Sequence, residues 1–265
     1  MPHLRAITLR PFTAAHFPFN LPILHGWDTL TFNAPVTFFV GENGSGKSTL
    51  LEAIAIAAEM VTVGSEPVKT DPSLDAQREL SRHLRLVWNK RTRKGFFLRA
   101  EDFFGYARRL NQMRAEMEDD LKAVDREYTG RSDYAKSLAR MSAAGQLHDM
   151  THRYGPGLDA RSHGESFLAL FQSRFVPGGL YLLDEPEAPL SPLRQLALIA
   201  ALKGMLTQNA QFIIATHSPI LMAFPGAEIW SFDDGRIHSM DYDSLEHVTL
   251  MRDFLANPRA FIEQL

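Results

Sequence analysis

Residues 41–48 read Gly-Glu-Asn-Gly-Ser-Gly-Lys-Ser, and this spacing of glycines, one lysine and one hydroxyl suits a run of phosphates. Glycines at 41, 44 and 46 let the backbone turn tightly and point N–H groups at phosphate oxygens, and a helix starting there adds its positive end. Lys47 would reach the β- and γ-phosphates, and Ser48 would be a magnesium ligand. A second group is Leu180-Tyr-Leu-Leu-Asp184-Glu185, an apolar run that delivers two acids at its end. Asp184 can hold Mg²⁺ through its water shell, and Glu185, facing a γ-phosphate, is placed to orient or deprotonate an attacking water. Taken by itself, the same run also reads as a strand ending in an acidic, solvated turn.

Two weaker signals follow. In Ile214-Ala-Thr-His217-Ser-Pro219 a single histidine comes after an apolar run. A lone histidine is usually structural, but a strand here beside the phosphate-loop strand would let His217 sense a γ-phosphate. Ser162-His-Gly-Glu165 has the spacing of an ordinary helix-capping box, and a serine with bare helix N–H groups is also a receptor for phosphate, so the two readings are compatible.

The surrounding elements must hold these residues in place. Val36-Thr-Phe-Phe-Val40 is a continuous apolar run, as expected of a strand buried on both faces, and Leu50, Leu51, Ile54 and Ala58 recur at helical spacing. Leu4, Ile7 and Leu9, then Leu30 and Phe32, read as strands of an edge sheet. Val61 to Ala76 reads as a surface loop, and His83–Asn89 with Gly95–Leu98 as a hairpin across the basic turn Lys90–Lys94. Asp102 to about Gln146 has the composition of one or two helices, and Tyr154-Gly-Pro-Gly157 breaks the chain after it. Next come a helix at Phe167–Phe171, a strand at Gly179–Leu183, a helix at Pro192–Leu206, strands at Gln211–Ala215 and Glu228–Phe232, and a turn at Asp233-Asp-Gly235. Strands alternating with helices imply a mostly parallel sheet.

Composition narrows the setting. A chain of 265 residues can bury about three-quarters of its unfolded surface and needs no disulfide or metal to fold. With no cysteine, thiolate metal sites are excluded, and a reducing compartment, the cytoplasm, is the expectation. The net charge of -3 gives no global attraction to nucleic acid or anionic membrane, so any such attraction must be local. No window approaches roughly 18 uninterrupted apolar residues, and Met1–Arg10 lacks the apolar core of a signal peptide, so work at a membrane would need another chain.

These motifs, in this order and with Asp-Glu-Pro and Thr-His-Ser after two strands, resemble the nucleotide-binding domain of the ABC ATPases. The resemblance implies an α/β P-loop NTPase fold, a mostly parallel central sheet with an antiparallel β edge subdomain and a small inserted helical subdomain. Residues 1–101 and 159–265 would form the core, and 102–158 the insertion. It implies ATP and Mg²⁺ as ligands, with Gly41, Glu42, Asn43, Gly44, Ser45, Gly46, Lys47, Ser48 and Thr49 around the nucleotide. Lys47, Glu185 and His217 would be catalytic, and Ser48 and Asp184 would hold the metal. Ser162-His-Gly-Glu resembles the signature motif, with Arg161, His163 and Glu165 where transporters carry Leu, Gly and Gln. A head-to-tail homodimer is implied, in which Ser162 and Gly164 of one copy close over ATP held by the other. Pro189-Leu-Ser-Pro192 stands in for the D-loop without its usual Asp.

Asp184-Glu-Pro-Glu187 and the Ser-x-Gly-Glu signature are closer in pattern to the soluble branch of RecF, RecN, SMC and overcoming-lysogenization-defect ATPases than to transporter subunits. Roughly 115 residues between the phosphate loop and the signature leave no room for SMC-length arms. The family's glutamine after the strand preceding the helical insertion is missing from Phe97-Leu-Arg-Ala-Glu101-Asp102, where Glu101 is the candidate replacement as a metal ligand. Trp27 or Phe32 is a candidate to stack on the base, and each also suits packing. The basic segment Arg82–Arg99 is the local cluster that suggests nucleic acid, and it equally suits a solvated hairpin tip. Three functions are compatible with these readings: a free-standing ATPase acting on DNA or a protein partner, the ATP-binding subunit of a transporter, and a switch that binds ATP and barely hydrolyses it.

Overall fold

The computed structural model describes residues 1–63, 71–154 and 163–263. In chain order the elements are β1 (Leu4–Leu9), β2 (Thr29–Thr31), β3 (Val36–Val40), α1 (Lys47–Ala57), α2 (Asp75–His83), β4 (Leu84–Trp88), β5 (Gly95–Arg99), α3 (Ala100–Glu127), α4 (Asp133–Tyr154), α5 (His163–Arg174), β6 (Leu180–Asp184), α6 (Pro192–Leu206), β7 (Gln211–Ala215), α7 (Pro219–Met222), β8 (Glu228–Ser231), β9 (His238–Ser239), α8 (Glu246–Ala256) and α9 (Pro258–Ile262). Six strands form the main sheet in the order β5-β6-β7-β3-β8-β9, parallel except for β9.

The apolar runs become central strands because both of their faces are covered. Phe38, Tyr181, Leu183, Phe212 and Ile214 face a core that includes Phe167, Leu198, Leu221 and Val248. The alternate residues Phe39, Leu182, Ile213 and Ala215 face Leu50, Leu51 and Ile54 of α1. This two-residue alternation puts α1 on one face and α5, α6, α7 and α8 on the other, as a right-handed crossover architecture requires.

An antiparallel sheet, β2-β1-β4, packs over the α1 face. It is joined to the main sheet by Gln211, whose fully buried side-chain amide accepts from Leu4 N at 2.8 Å and donates to Leu4 O at 3.0 Å. The expected hairpin across Lys90–Lys94 does not form. β4 pairs with β1, whereas β5 pairs with β6, so the basic turn crosses from one sheet to the other. The reason is burial: Phe96, Phe97 and Leu98 are all buried, which suits a strand inside the parallel sheet, whereas β4 leaves Arg85 exposed.

The described ends of the expected loop over Val61–Ala76, residues 61–63 and 71–76, are more structured than their composition suggests. Val61 and Val63 run beside β5 through Phe97 N to Val61 O and Val63 N to Phe97 O, both 2.9 Å. A short 3-10 turn at Pro72–Leu74, capped by Asp71, leads straight into α2. The long helices α3 and α4 pair through Asp125, which takes Arg140 at 3.0 Å and Lys136 at 3.1 Å. Among the described residues, no helix is long and apolar enough to cross a membrane.

Gly95 is where the basic turn enters the main sheet. Its φ is 110°, and a Cβ there would lie 1.8 Å from Leu180 O, a strand backbone that cannot retreat. Gly178 also has positive φ, 71°, but a Cβ there would meet nothing within 4 Å. Gly95→Ala is therefore expected to destabilise the fold by more than about 3 kcal/mol, and Gly178→Ala by about 1 kcal/mol. Denaturant titration of the two variants checks the contrast.

Candidate nucleotide site

The loop between β3 and α1 gets its shape from its glycines. Gly41, Gly44 and Gly46 have φ of 140°, 80° and 97°, which side-chain-bearing residues rarely adopt. Gly46 is the residue from which α1 starts, so the helix's free N–H groups face the loop's concavity. At the other end, Asp233 of the turn after β8 accepts from Glu42 N at 2.9 Å, and Ser231 holds that carboxylate at 3.0 Å. A Cβ on Gly41 would sit 2.8 Å from the Asp233 carboxylate, so this position needs a glycine for space as well as for φ.

Lys47 lies almost fully buried at the helix start, and its Nζ donates to Gly41 O at 2.7 Å and Glu42 O at 2.8 Å. Burial lowers its pKa below the usual lysine range, opposed by the carboxylates of Glu185, Asp184, Asp233 and Glu42. A buried ammonium bonded only to neutral oxygens, these two carbonyls and the Ser45 hydroxyl at 3.5 Å, is poised to trade them for anionic ones. Asn43 and Gly44 at the loop's tip are exposed, and Ser45, Ser48 and Thr49 are half-buried along its inner edge.

Strand β7 lies between β3 and β6, so the acids of β6 reach the loop across an intervening strand instead of from its immediate neighbour. The reach is nonetheless direct. Ser48 Oγ donates to Asp184 Oδ1 at 3.0 Å. Glu185 follows with φ of 48°, a left-handed conformation uncommon for a non-glycine residue and characteristic of strained site positions. Its carboxylate lies 3.7 Å from His217 Nε2, and both side chains are partly open to solvent. His217 is itself positioned by Glu187, which accepts from His217 N at 2.7 Å. Burial raises the Glu187 pKa.

The donor set fits a magnesium ion. Asp184 is nine-tenths buried, and burial pushes its pKa up to about 7, with Glu52 and Glu185 adding repulsion that the Ser48 hydroxyl and Lys47 only partly offset. Such a carboxylate lacks counter-charge, and one hydroxyl with one carboxylate is the sparse set that suits a Mg²⁺ keeping most of its waters. Glu101, the other metal candidate, falls in the first turn of α3, and its side chain lies outside the described residues. The residue at the end of β5 is instead Arg99, in register with Asp184 and bonded to Asp102 at 2.8 Å, Asp71 at 2.9 Å and Glu52 at 3.4 Å. No sequence pattern singled it out, because its three acids come from separate segments.

Ser162 lies outside the described residues, and Gly164 falls in the first turn of α5. Phe32 is not available to a base: it is fully buried and stacks on Trp230 at 4.8 Å. Trp27 is half-buried, donates its ring N–H to Ile23 O at 2.7 Å, and lines a cavity of about 330 Å³ with His25, Arg236 and Asp234. Asp234 also borders the larger cavity, about 550 Å³, over the loop. Sequence reasoning missed three walls of that cavity: Pro22 with Ile23, the Asp233 turn, and Glu246 with His247 at the start of α8.

Asp184 allows a test of sign. A carboxyl whose folded pKa is raised destabilises the fold as pH rises from its unfolded value near 4 to about 7, because the native state must then give up a proton it prefers to keep. Asp184→Asn is expected to stabilise the nucleotide-free protein at pH 8 by on the order of 2 kcal/mol and to flatten the fall in stability between about pH 4 and pH 7. Thermal melts of both proteins across pH check this.

A family described as "AAA domain" matches residues 18–137, and one described as "AAA domain, putative AbiEii toxin, Type IV TA system" matches residues 166–223. The chain is 24% identical to the L-cystine transport system ATP-binding protein TcyN of Escherichia coli K12, over 81% of this chain and 82% of that protein. It is 29% identical to the hemin import ATP-binding protein HmuV of Nocardia farcinica, over 76% and 64%. The Smc head domain of Pyrococcus furiosus, solved with the C-terminal domain of ScpA, superposes with a TM-score of 0.48 at 13% identity, covering 96% of this chain and 100% of that one. With the glycine loop, the acids at the end of β6 and His217 just after β7 at one end of a parallel sheet, this chain carries a P-loop ATPase domain of the kind the two AAA-domain families describe, similar to ABC-type ATP-binding proteins.

Proposed function

We propose that the chain hydrolyses ATP with Mg²⁺ at this site, in a head-to-tail pair of copies. The observation that carries the reading is the convergence of Ser48 on Asp184 and of Glu185 on His217 beside a loop already gripped by Lys47. Mg²⁺ held by Ser48 and Asp184 would supply positive charge to the β- and γ-phosphate oxygens. Lys47 leaves its two carbonyls for phosphate oxygens, and the loop N–H groups hold the chain of phosphates in line. Glu185 takes a proton from a water as its oxygen attacks the γ-phosphorus. The bond to the β–γ bridging oxygen breaks, leaving ADP and inorganic phosphate. His217, 3.7 Å from Glu185, steadies that carboxylate and meets the γ-phosphate. Trp27, beside the adjoining cavity, is the candidate for the base.

In this reading Ser162 and Gly164 of one copy close over ATP held by the other, residues 1–101 and 159–265 form the core, and 102–158 form an inserted helical subdomain. Closure acts in the cytoplasm on DNA or a partner protein, as in the soluble branch that the Asp-Glu-Pro-Glu pattern suggests. DNA is favoured by the turn between the sheets. Lys90, Arg91, Arg93 and Lys94 are all exposed, and they line a cavity of about 900 Å³ whose lining includes no acid. The names of the relatives favour a second reading, a transporter's ATP-binding subunit, held at a membrane by another chain.

Steady-state hydrolysis and light scattering with ATP and Mg²⁺ test the first part. Lys47→Ala is expected to abolish turnover, and Glu185→Gln to cut it by about two to three orders of magnitude while trapping an ATP-bound dimer. A parent protein that stays monomeric at saturating ATP contradicts the shared site, and dimerisation without turnover selects a nucleotide switch.

Duplex DNA titration tests the second part. The DNA reading expects stimulated turnover and an affinity falling with salt at a log–log slope of about −3 to −4, from four neutralised phosphates. Charge reversal at Lys90 and Arg93 removes both, and no DNA effect favours the transporter reading.

A further inference from the structure

The nucleotide loop has a wall that none of the recognised motifs supplies. Helix α8 begins at Glu246, and Glu246 and His247 in its first turn line the same cavity as Gly41–Ser45 and His217. Ser48 and Thr49 are not part of that lining, so the cavity lies over the first half of the loop, toward His217, where the terminal phosphate would lie. The charged groups acting on His247 are His217, Asp233, Glu42 and Lys47, which come from the end of β7, the turn after β8, the loop and α1.

This wall is held firmly. Leu245 and Val248, on either side of the pair, are buried in the core, and Thr249 Oγ1 donates back to Glu246 O at 2.8 Å. The ring of His247 is half-buried, and the one hydrogen-bond partner it has among the described residues is the Met222 thioether, at 3.4 Å from Nε2. Thioether sulfur is a weak acceptor, so the ring gives up little by turning an N–H to a phosphate oxygen. The need for a donor is also visible. Glu42, Asp233, Asp234 and Glu246 put four carboxylates around a cavity meant for an anion, and of its lining residues only His217 and His247 have side chains that can carry positive charge.

We propose that His247 is a nucleotide-contacting residue that recognises the terminal phosphate of ATP and so separates ATP from ADP. The inference rests on the reading that a triphosphate occupies the loop, and it adds a residue from outside the family's motifs. His247 does no proton transfer to the attacking water; it donates a hydrogen bond to an oxygen present in ATP and absent from ADP.

Calorimetric titration of the full chain with Mg²⁺ and either ADP or the β,γ-imido analogue of ATP tests this, in the parent, His247→Ala and His247→Gln. A hydrogen bond to a charged oxygen corresponds to roughly ten- to hundredfold in affinity. His247→Ala is expected to weaken the triphosphate analogue by about that factor while ADP changes less than about twofold, and His247→Gln, which keeps an N–H donor, is expected to recover part of the loss. Equal weakening of both ligands, or no change in either, overturns the proposal and leaves the hydrolysis reading standing. A parent that binds neither ligand overturns the triphosphate reading itself, and this one with it. If His247→Ala melts lower than the parent without ligand, its triphosphate-to-ADP affinity ratio, which does not depend on the folded fraction, decides: a ratio reduced about tenfold or more from the parent's supports the contact, and an unchanged ratio overturns it.

Discussion

Everything at the site depends on one contact made across a strand. Ser48 opens α1 and Asp184 ends β6, with all of β7 between their strands, yet their side chains meet at 3.0 Å. That distance holds only if β3, β7 and β6 keep their parallel register, Phe39 opposite Ala215 and Ala215 opposite Asp184. The register in turn depends on side chains buried on both faces of all three strands, where a slip of one residue would turn every one of them to the wrong face. Core packing therefore sets the spacing between the glycine loop and the acid proposed to hold the metal.

The site is also electrostatically unfinished. Asp184, Glu185, Glu52, Glu42 and Asp233 all act on Lys47 or on one another, and burial lowers the Lys47 pKa and raises that of Asp184. Arg99 settles part of this imbalance by gathering Glu52, Asp71 and Asp102 beside the end of β6. Its neighbours tie α1, the turn before α2 and the start of α3 into one cluster. Glu52, which repels Asp184, is thus linked through Arg99 to Asp102 at the start of α3. The remaining excess of carboxylate favours a site completed by a cation.

Much of this was readable from the sequence because local rules determined it. Glycines with positive φ, an apolar strand before them and a helical repeat after them leave few alternatives, and β3, the loop and α1 form where that pattern expects. The hairpin across Lys90–Lys94 failed for a non-local reason. Period-two patterning finds strands but does not say which sheet takes them, and the buried Phe96, Phe97 and Leu98 drew β5 to β6. Phe32 and Trp27 looked alike as aromatic candidates until burial separated them. Arg99 and His247 were invisible for a related reason: apart from Asp102, three residues after Arg99, their partners are far away in sequence and only the fold brings them near.

The most direct test is a crystal structure grown with Mg²⁺ and the β,γ-imido analogue of ATP. The expected result has the triphosphate inside the loop of residues 41–48, with Lys47 Nζ moved from the Gly41 and Glu42 carbonyls onto phosphate oxygens and a metal between Ser48 and Asp184. A nucleotide bound elsewhere, with Lys47 still on its two carbonyls and Ser48 still donating to Asp184, would contradict the account at its root.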